Sequence, residues 1–243
     1  MNAIVALTRA ETRLFLRDPF TWGAAVILPT VILVVLGLVF GNRPDETFGG
    51  FGFVDYFTPS LVVLTVATLS VNTMTTRLAT YREKGVLRRM STAPVRPAAF
   101  LIAQLVINAV AAVVAVALLI AVANAAFGVP LPRDLPAFSL AVGLGTSSLF
   151  ALALLFAAVV PSASAATAVG VAVFAVVMFL GGVYLPRYLL PDVLNRIGAF
   201  TPPGVEGLQK AWLGAPMDVA PLVIMAVTTV VAGAVAARMF RWE

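Results

Sequence analysis

Long apolar runs alternate with short charged segments along the whole chain. Five long intervals contain no charged residue, and a helix that crosses the hydrocarbon core of a membrane needs about 20 residues. The interval from Asp134 to Arg187 is long enough for two crossings, and the PSAS sequence at Pro161–Ser164 is typical of a turn between them. The runs are continuous rather than alternating, which favours helices over barrel strands. Six spans are predicted, at residues 21–40, 57–76, 98–123, 138–160, 165–185 and 219–237.

Composition agrees with a chain that lies mostly in lipid. The sequence is 61% hydrophobic and 11% charged, with a mean hydropathy of +1.02, whereas a soluble domain has about a quarter charged residues. The first 18 residues are too polar for a cleaved signal peptide. The predicted fold class is therefore an all-α integral membrane protein, with one transmembrane domain over residues 1–243 and no separate soluble domain.

The residue types that are absent exclude several kinds of chemistry. The sequence has no cysteine and no histidine, which excludes disulfides, thiolate or imidazole metal sites and histidine-based catalysis. It has no GxxxxGK[ST] phosphate loop, so energy from ATP must come from another polypeptide. No acidic or basic residue lies inside a predicted span, although gradient-driven carriers usually need one. The charge-free spans argue against the alternative of a gradient-driven carrier, and they favour a lipophilic or amphiphilic solute.

The distribution of basic residues predicts the orientation. With six spans, both termini lie on the same side of the membrane. That side then holds eleven of the sixteen basic residues and the other side holds five. Because cytoplasmic segments are enriched in lysine and arginine, both termini and the segment between the second and third spans are predicted to be cytoplasmic.

The charged segment between the second and third spans predicts a short helix at residues 82–91. On a helical wheel Val86, Leu87 and Met90 share one face, and Glu83 falls in the middle of that face. A helix lying among lipid headgroups would have no carboxylate there, so the pattern favours docking into a protein groove. The alternative is that the arginines serve only as a topology signal.

Three segments of the chain resemble type-2 ABC transporter permeases, especially the drug-exporter branch. They are YREKGVLRRMSTAPVRPAAFLIAQ at Tyr81–Gln104, RDPF at Arg17–Phe20, and the two-proline segment Gly181–Gly214. The resemblance implies a type V exporter-like fold, with short outer helices in a re-entrant or interfacial segment at residues 186–214. It also implies that the 82–91 helix is a coupling helix, with contacts to a partner from Arg82, Glu83, Val86, Leu87, Arg88 and Met90.

The same resemblance implies the partners and the transported compound. Two copies of a separate ATP-binding subunit would carry ATP and magnesium, with no cofactor or metal on this chain. A second permease copy or a homologue would complete a dimer in the cytoplasmic membrane. The expected activity is export of a drug or antibiotic, and the alternative within the family is export of a lipid-linked glycan or a peptide antibiotic. No nucleic-acid partner is expected.

The N-terminal segment, residues 2–17, predicts an amphipathic helix. Arg9, Arg13 and Arg17 recur at i, i+4 and i+8, and Glu11 lies on the apolar side. One interpretation is a helix resting on the inner leaflet of the membrane. The other, implied by the resemblance, is a connecting helix that packs near the coupling loop.

Polar and bulky residues inside two spans are candidates for a transport path. The second span contributes Thr65, Thr68 and Asn72, and the fifth contributes Phe174, Met178 and Phe179. The alternative is that the polar side chains hold helices together and the bulky ones are ordinary packing. Gln104 and Asn108 in the third span are predicted to join helices, and Pro29 is predicted to kink the first span.

Overall fold

The computed structural model describes residues 3–19, 23–75, 80–81, 83–85, 97–160 and 162–239. Within these ranges the chain is helical and contains no strand, only an isolated bridge between Asp45 and Phe51. The helices are α1 (Ala3–Leu16), α2 (Gly23–Phe40), α3 (Phe53–Ala67, continued by a π-helix at Thr68–Met74), α4 (Pro97–Phe127), α5 (Leu135–Val159), α6 (Ala163–Leu180), α7 (Asp192–Phe200), α8 (Val205–Leu213) and α9 (Val219–Met239).

Five of the described helices are long and apolar enough to cross a membrane. They are α2, α3, α4, α5 and α9. The remaining predicted span corresponds to α6, an apolar helix of 18 residues, which is about 27 Å long at 1.5 Å per residue. An all-helical membrane protein is therefore confirmed, and the sixth crossing stays a prediction.

The second span begins earlier than the sequence predicts. Its helix starts at Phe53, so the candidate span Phe53–Val71 includes Asp55, which lies before the predicted span at residues 57–76. One carboxylate oxygen of Asp55 accepts a hydrogen bond from the Gly52 backbone N–H at 3.0 Å. A carboxylate in the first helical turn satisfies a free amide and suits the helix dipole. Asp55 therefore stabilises the start of this helix.

Two other helices begin at side chains that satisfy free backbone N–H groups. Asp134 accepts a hydrogen bond from the Ala137 N–H at 2.9 Å at the start of α5. Ser162, within the predicted PSAS turn, accepts one from the Ala165 N–H at 3.2 Å at the start of α6. Such caps fix where a helix begins. The Ser162 cap therefore separates α5 from α6.

Pro29 lies next to a local change in helix geometry. Residues Gly23–Ile27 form a π-helix, and a regular α-helix runs from Leu28 to Phe40 with Pro29 in its first turn. Proline cannot donate the usual i to i−4 hydrogen bond, and π-turns within helices accommodate such interruptions. A π-turn therefore directly precedes the turn that contains Pro29, and the kink itself stays a prediction.

Helix α3 is the centre of the bundle. It contacts α2, α4, α5, α6 and α8, and 94% of Phe53–Val71 is buried, against 22% of the candidate spans in α2 and α9. The largest apolar cluster surrounds it and includes Leu61, Val63 and Leu64. Outside this centre, α9 packs along α5 and α1 packs along α4. The second span is therefore the helix that the others enclose.

Candidate functional site

The predicted coupling segment is described only at Thr80, Tyr81 and residues 83–85. Glu83 and Lys84 are exposed there, as a contact surface for a partner requires. Arg82, Val86, Leu87, Arg88 and Met90 lie outside the described residues. The docking role of this segment therefore stays a prediction.

Gly85 interrupts the helix predicted over residues 82–91. Its φ is +65°, a left-handed conformation that a right-handed helix cannot contain and that glycine adopts at little cost. The Lys84 N–H still donates to the Thr80 carbonyl at 3.0 Å, so one helical turn ends just before the glycine. A continuous helix through residue 85 is wrong, because the chain turns there.

Glu11 of α1 lies at a junction of three segments. Only 7% of its surface is exposed. Its Oε2 accepts hydrogen bonds from Gln104 Nε2 of α4 at 2.6 Å and from Tyr81 Oη at 3.2 Å. The Tyr81 ring also packs on Phe100 of α4, with 5.9 Å between ring centroids. We call Glu11, Tyr81 and Gln104 the Glu11 junction, and it joins the N-terminal helix, the start of the charged loop and the third span.

The position of Glu11 bears on both interpretations of the N-terminal helix. Arg9, Arg13 and Arg17 are exposed, whereas Phe15 is buried on the same side of α1 as Glu11. The helix is thus amphipathic and packs on protein through its carboxylate side. Gln104 joins helices, as the sequence predicts. Asn108 instead donates to the carbonyl of Gln104 within its own helix at 2.8 Å.

The candidate path residues of the second span are buried in the centre of the bundle. Thr65 is fully buried and Thr68 is 7% exposed. Their hydroxyls donate to the Leu61 and Leu64 carbonyls of the same helix at 2.8 and 2.7 Å. These bonds satisfy the hydroxyl donors within apolar surroundings. The side chain of Asn72 lies outside the described residues, and the path role of all three stays a prediction.

The three candidate residues of α6 differ in burial. Met178 is fully buried, Phe174 is partly buried against the central cluster, and Phe179 is 36% exposed. Glycine follows at the end of this helix, where Gly182 has a φ of +75°. A side-chain Cβ at Gly182 would lie 2.8 Å from Cγ of Arg187. The turn after the fifth predicted span therefore needs glycine for both its conformation and its space.

Arg187 organises the segment after α6, and the sequence reasoning gave it no role beyond its charge. It is 9% exposed. Its guanidinium donates to Gln209 Oε1 at 2.7 Å, Asn195 Oδ1 at 3.3 Å and Glu206 Oε2 at 3.4 Å. These three acceptors lie on α7 and α8. The available signal was its position in LPRYLLP, where apolar residues and prolines surround a single charge.

An exposed pair of ion contacts lies beside this cluster. Lys210 Nζ is 2.6 Å from Asp218 Oδ2 and 2.9 Å from Glu206 Oε1. The pKa of Lys210 is raised, first by its hydrogen bond to Asp218 and then by that to Glu206. Glu206 thus joins the exposed lysine to the buried arginine.

An apolar groove of about 680 Å³ lies between α4, α5 and α9 and is open along one side. Its walls include Val113 and Val116 of α4, Phe138 and Gly143 of α5, and Gly233 of α9. Drug-sized ligands occupy sites of roughly 300–1,000 Å³ that are mainly apolar. We call this space the α4–α5 groove. The sequence reasoning did not find it, because helix divergence has no local signature.

Most of the residues described above lie in a region that matches a known protein family. A family model described as ABC-2 type transporter matches residues 2–204, which is more than half of the chain. The match contains the Glu11 junction, the charged loop and Arg187. No curated protein matches the chain.

Proposed function

Because the chain belongs to the ABC-2 type transporter family, we propose that it is the permease subunit of an ATP-driven exporter for a lipophilic or amphiphilic compound. Family members are transport components rather than catalytic subunits, so ATP and magnesium bind to a separate ATPase. The chain lies in the cytoplasmic membrane with both termini inside the cell. Two ATPase subunits bind on that side, and a second permease copy or a homologue completes the dimer. Drug or antibiotic export is the proposed activity.

The α4–α5 groove is the observation that supports the substrate class. It is lined mainly by apolar side chains, and it lies between helices long enough to cross a membrane. A compound dissolved in the bilayer can enter such an open groove without first passing through water. Since burial of apolar surface is the main favourable term for such a ligand, the groove selects lipophilic compounds over ions and sugars.

The Glu11 junction supports a route from the ATPase to the membrane helices. Tyr81 precedes exposed Glu83 by two residues and donates to Glu11, which also accepts from Gln104 of α4. A displacement of the loop by a bound ATPase therefore acts on α1 and α4 together. Because α4 is one wall of the α4–α5 groove, this movement changes the shape of the proposed substrate site.

Replacing Glu83 by lysine tests the ATPase contact. We expect Glu83→Lys to weaken ATPase binding by about tenfold, equal to about 1.4 kcal/mol, because it reverses a charge on an exposed contact surface. The measurement is pull-down of the ATPase with the permease, together with the substrate-stimulated rate of ATP hydrolysis. The matched control is Glu46→Lys, which makes the same change in the exposed segment between α2 and α3. If Glu83→Lys gives wild-type values in both assays, the loop does not contact the ATPase through Glu83 and serves only as a topology signal.

Filling the α4–α5 groove tests the substrate site. Gly143 lines the groove, and a Cβ added there meets no atom within 4 Å. We therefore expect Gly143→Phe to lower dye export by about tenfold or more while ATPase binding is unchanged. Export is measured as efflux of a fluorescent lipophilic dye from cells that contain both subunits. Leu140→Phe is the control, since Leu140 is exposed on the same helix outside the groove. If the two variants export the dye equally, the α4–α5 groove is not part of the transport path.

A further inference from the structure

A second apolar groove lies beside the N-terminal helix. It has a volume of about 370 Å³ and lies between α1, α2 and α4. Thr8, Thr12 and Leu16 line its α1 side, Val26 lines its α2 side, and Val106 and Val110 are among the residues of α4. The α4 lining extends from Val106 to Val114, about 12 Å along the helix. One leaflet of the hydrocarbon core is about 15 Å thick, so the groove matches the depth of a single leaflet.

Three exposed arginines border this groove, Arg9 and Arg13 on α1 and Arg17 directly after its last residue. Arg9, Arg13 and Arg17 each follow a groove-lining residue of α1 by one position, which places each about 100° further round the helix. All three arginines are exposed. The acidic residue of α1, Glu11, is buried on another side against Gln104 and Tyr81. The open edge of the groove on α1 is therefore cationic.

We infer that this groove binds one acyl chain of an anionic phospholipid whose phosphate contacts Arg9 and Arg13. An apolar channel alone would accept a chain from any lipid, and exposed arginines alone would attract any anion. The groove and the arginines lie side by side, and the groove has the length of one leaflet. Together they select a molecule with an apolar chain and an anionic headgroup. Guanidinium groups bind phosphate through paired, charge-assisted hydrogen bonds. The inference is independent of which compound the protein transports.

Bound lipid would have a structural consequence for the Glu11 junction. The groove and the junction are formed by the same two helices, α1 and α4. A chain held between them fills the open space beside Phe15 and Ile107 and holds α1 against α4. Anionic lipid therefore stabilises the arrangement in which Glu11 accepts from both Tyr81 and Gln104.

The test measures lipid binding to the full chain directly. The protein is stripped of lipid in detergent and titrated with phosphatidylglycerol or phosphatidylcholine, and bound lipids are counted by native mass spectrometry. We expect tighter binding of phosphatidylglycerol. A cation near an anionic lipid surface contributes about fivefold in affinity, so Arg9→Gln combined with Arg13→Gln should lower phosphatidylglycerol affinity by roughly 25-fold. Phosphatidylcholine affinity should stay the same.

Two further variants separate the parts of the site. Val106→Phe fills the groove while keeping the arginines, and it should weaken binding of both lipids; Leu118→Phe, exposed on α4 outside the groove, should not. Arg238→Gln removes an exposed arginine at the end of α9 and should leave binding at the wild-type level. Equal binding of both lipids by the wild type overturns the inference. So does unchanged phosphatidylglycerol affinity in the Arg9/Arg13 variant, an equal loss with Arg238→Gln, or no effect of Val106→Phe.

Discussion

Replacing Arg187 by methionine is expected to destabilise the protein by about 3–5 kcal/mol, the usual cost of breaking a buried ion pair by removing one partner. The guanidinium is buried and holds Gln209, Asn195 and Glu206. Methionine has a similar length but no donor, so three acceptors on α7 and α8 each lose a hydrogen bond. The measurement is the midpoint of thermal unfolding of the purified protein in detergent.

Lys210→Met is the matched control for this change. Lys210 contacts Glu206 and Asp218, but its side chain is more exposed than that of Arg187. Exposed ion pairs usually contribute about 0–1 kcal/mol, so the midpoint should move little. Arg187→Lys should fall between the two because it keeps the charge and loses the planar set of donors. If the two methionine variants unfold at the same temperature, the hydrogen bonds of Arg187 do not hold α7 and α8 in place.

Replacing Gln104 by leucine is expected to cost about 2–3 kcal/mol, because a buried charged acceptor loses its closest donor. Glu11 then keeps only the longer bond from Tyr81, 3.2 Å against 2.6 Å from Gln104. Asn108→Leu is the control. Asn108 is buried one turn further along α4, its donated bond stays within the helix, and its Oδ1 has no partner among the described residues. The measurement is again thermal unfolding, and equal losses for the two variants would contradict a special role for the junction.

Combining Glu11→Leu with Gln104→Leu tests whether the Glu11 junction only packs the helices or also couples the ATPase to them. Replacing both partners of a buried polar contact by apolar groups is often nearly neutral, so stability should return towards wild type. Substrate-stimulated ATP hydrolysis should fall below the wild-type rate, since Tyr81 has lost its acceptor on α1. Recovery of both stability and stimulated hydrolysis would show that the junction only packs the helices.

The positions of the helices could be predicted from the sequence because the constraint on them is local. A segment that crosses hydrocarbon must satisfy its backbone internally and carry few charges, so charge-free runs predict α2, α3, α4, α5 and α9. The capping residues Asp134 and Ser162 act within three residues of their own positions. The start of α3 was missed by a few residues because a carboxylate in the first turn, Asp55, stabilises a helix end although it interrupts an apolar run.

The candidate site was harder to predict than the helices, because it depends on contacts that no local sequence pattern specifies. The sequence placed Glu11 on the apolar side of its helix and predicted that Gln104 joins helices, but not that they bond to each other across 93 positions. The helix predicted over residues 82–91 runs through Gly85, whereas the positive φ of this glycine ends a helical turn. The family resemblance supplied the permease role, which the match over residues 2–204 supports, and the roles of the coupling residues stay predictions.

By itself the sequence determined that this chain has the apolar, sparsely charged segments of a helical membrane protein and where those segments lie, because hydropathy and charge are properties of short segments. The tertiary structure alone decided that α3 is enclosed, that Arg187 is buried among acceptors from two later helices, and that two apolar grooves open beside α4. The physical reason is that burial and cavities depend on the angles and distances between helices. Those are set by side chains far apart in the sequence, which meet only when the chain has folded.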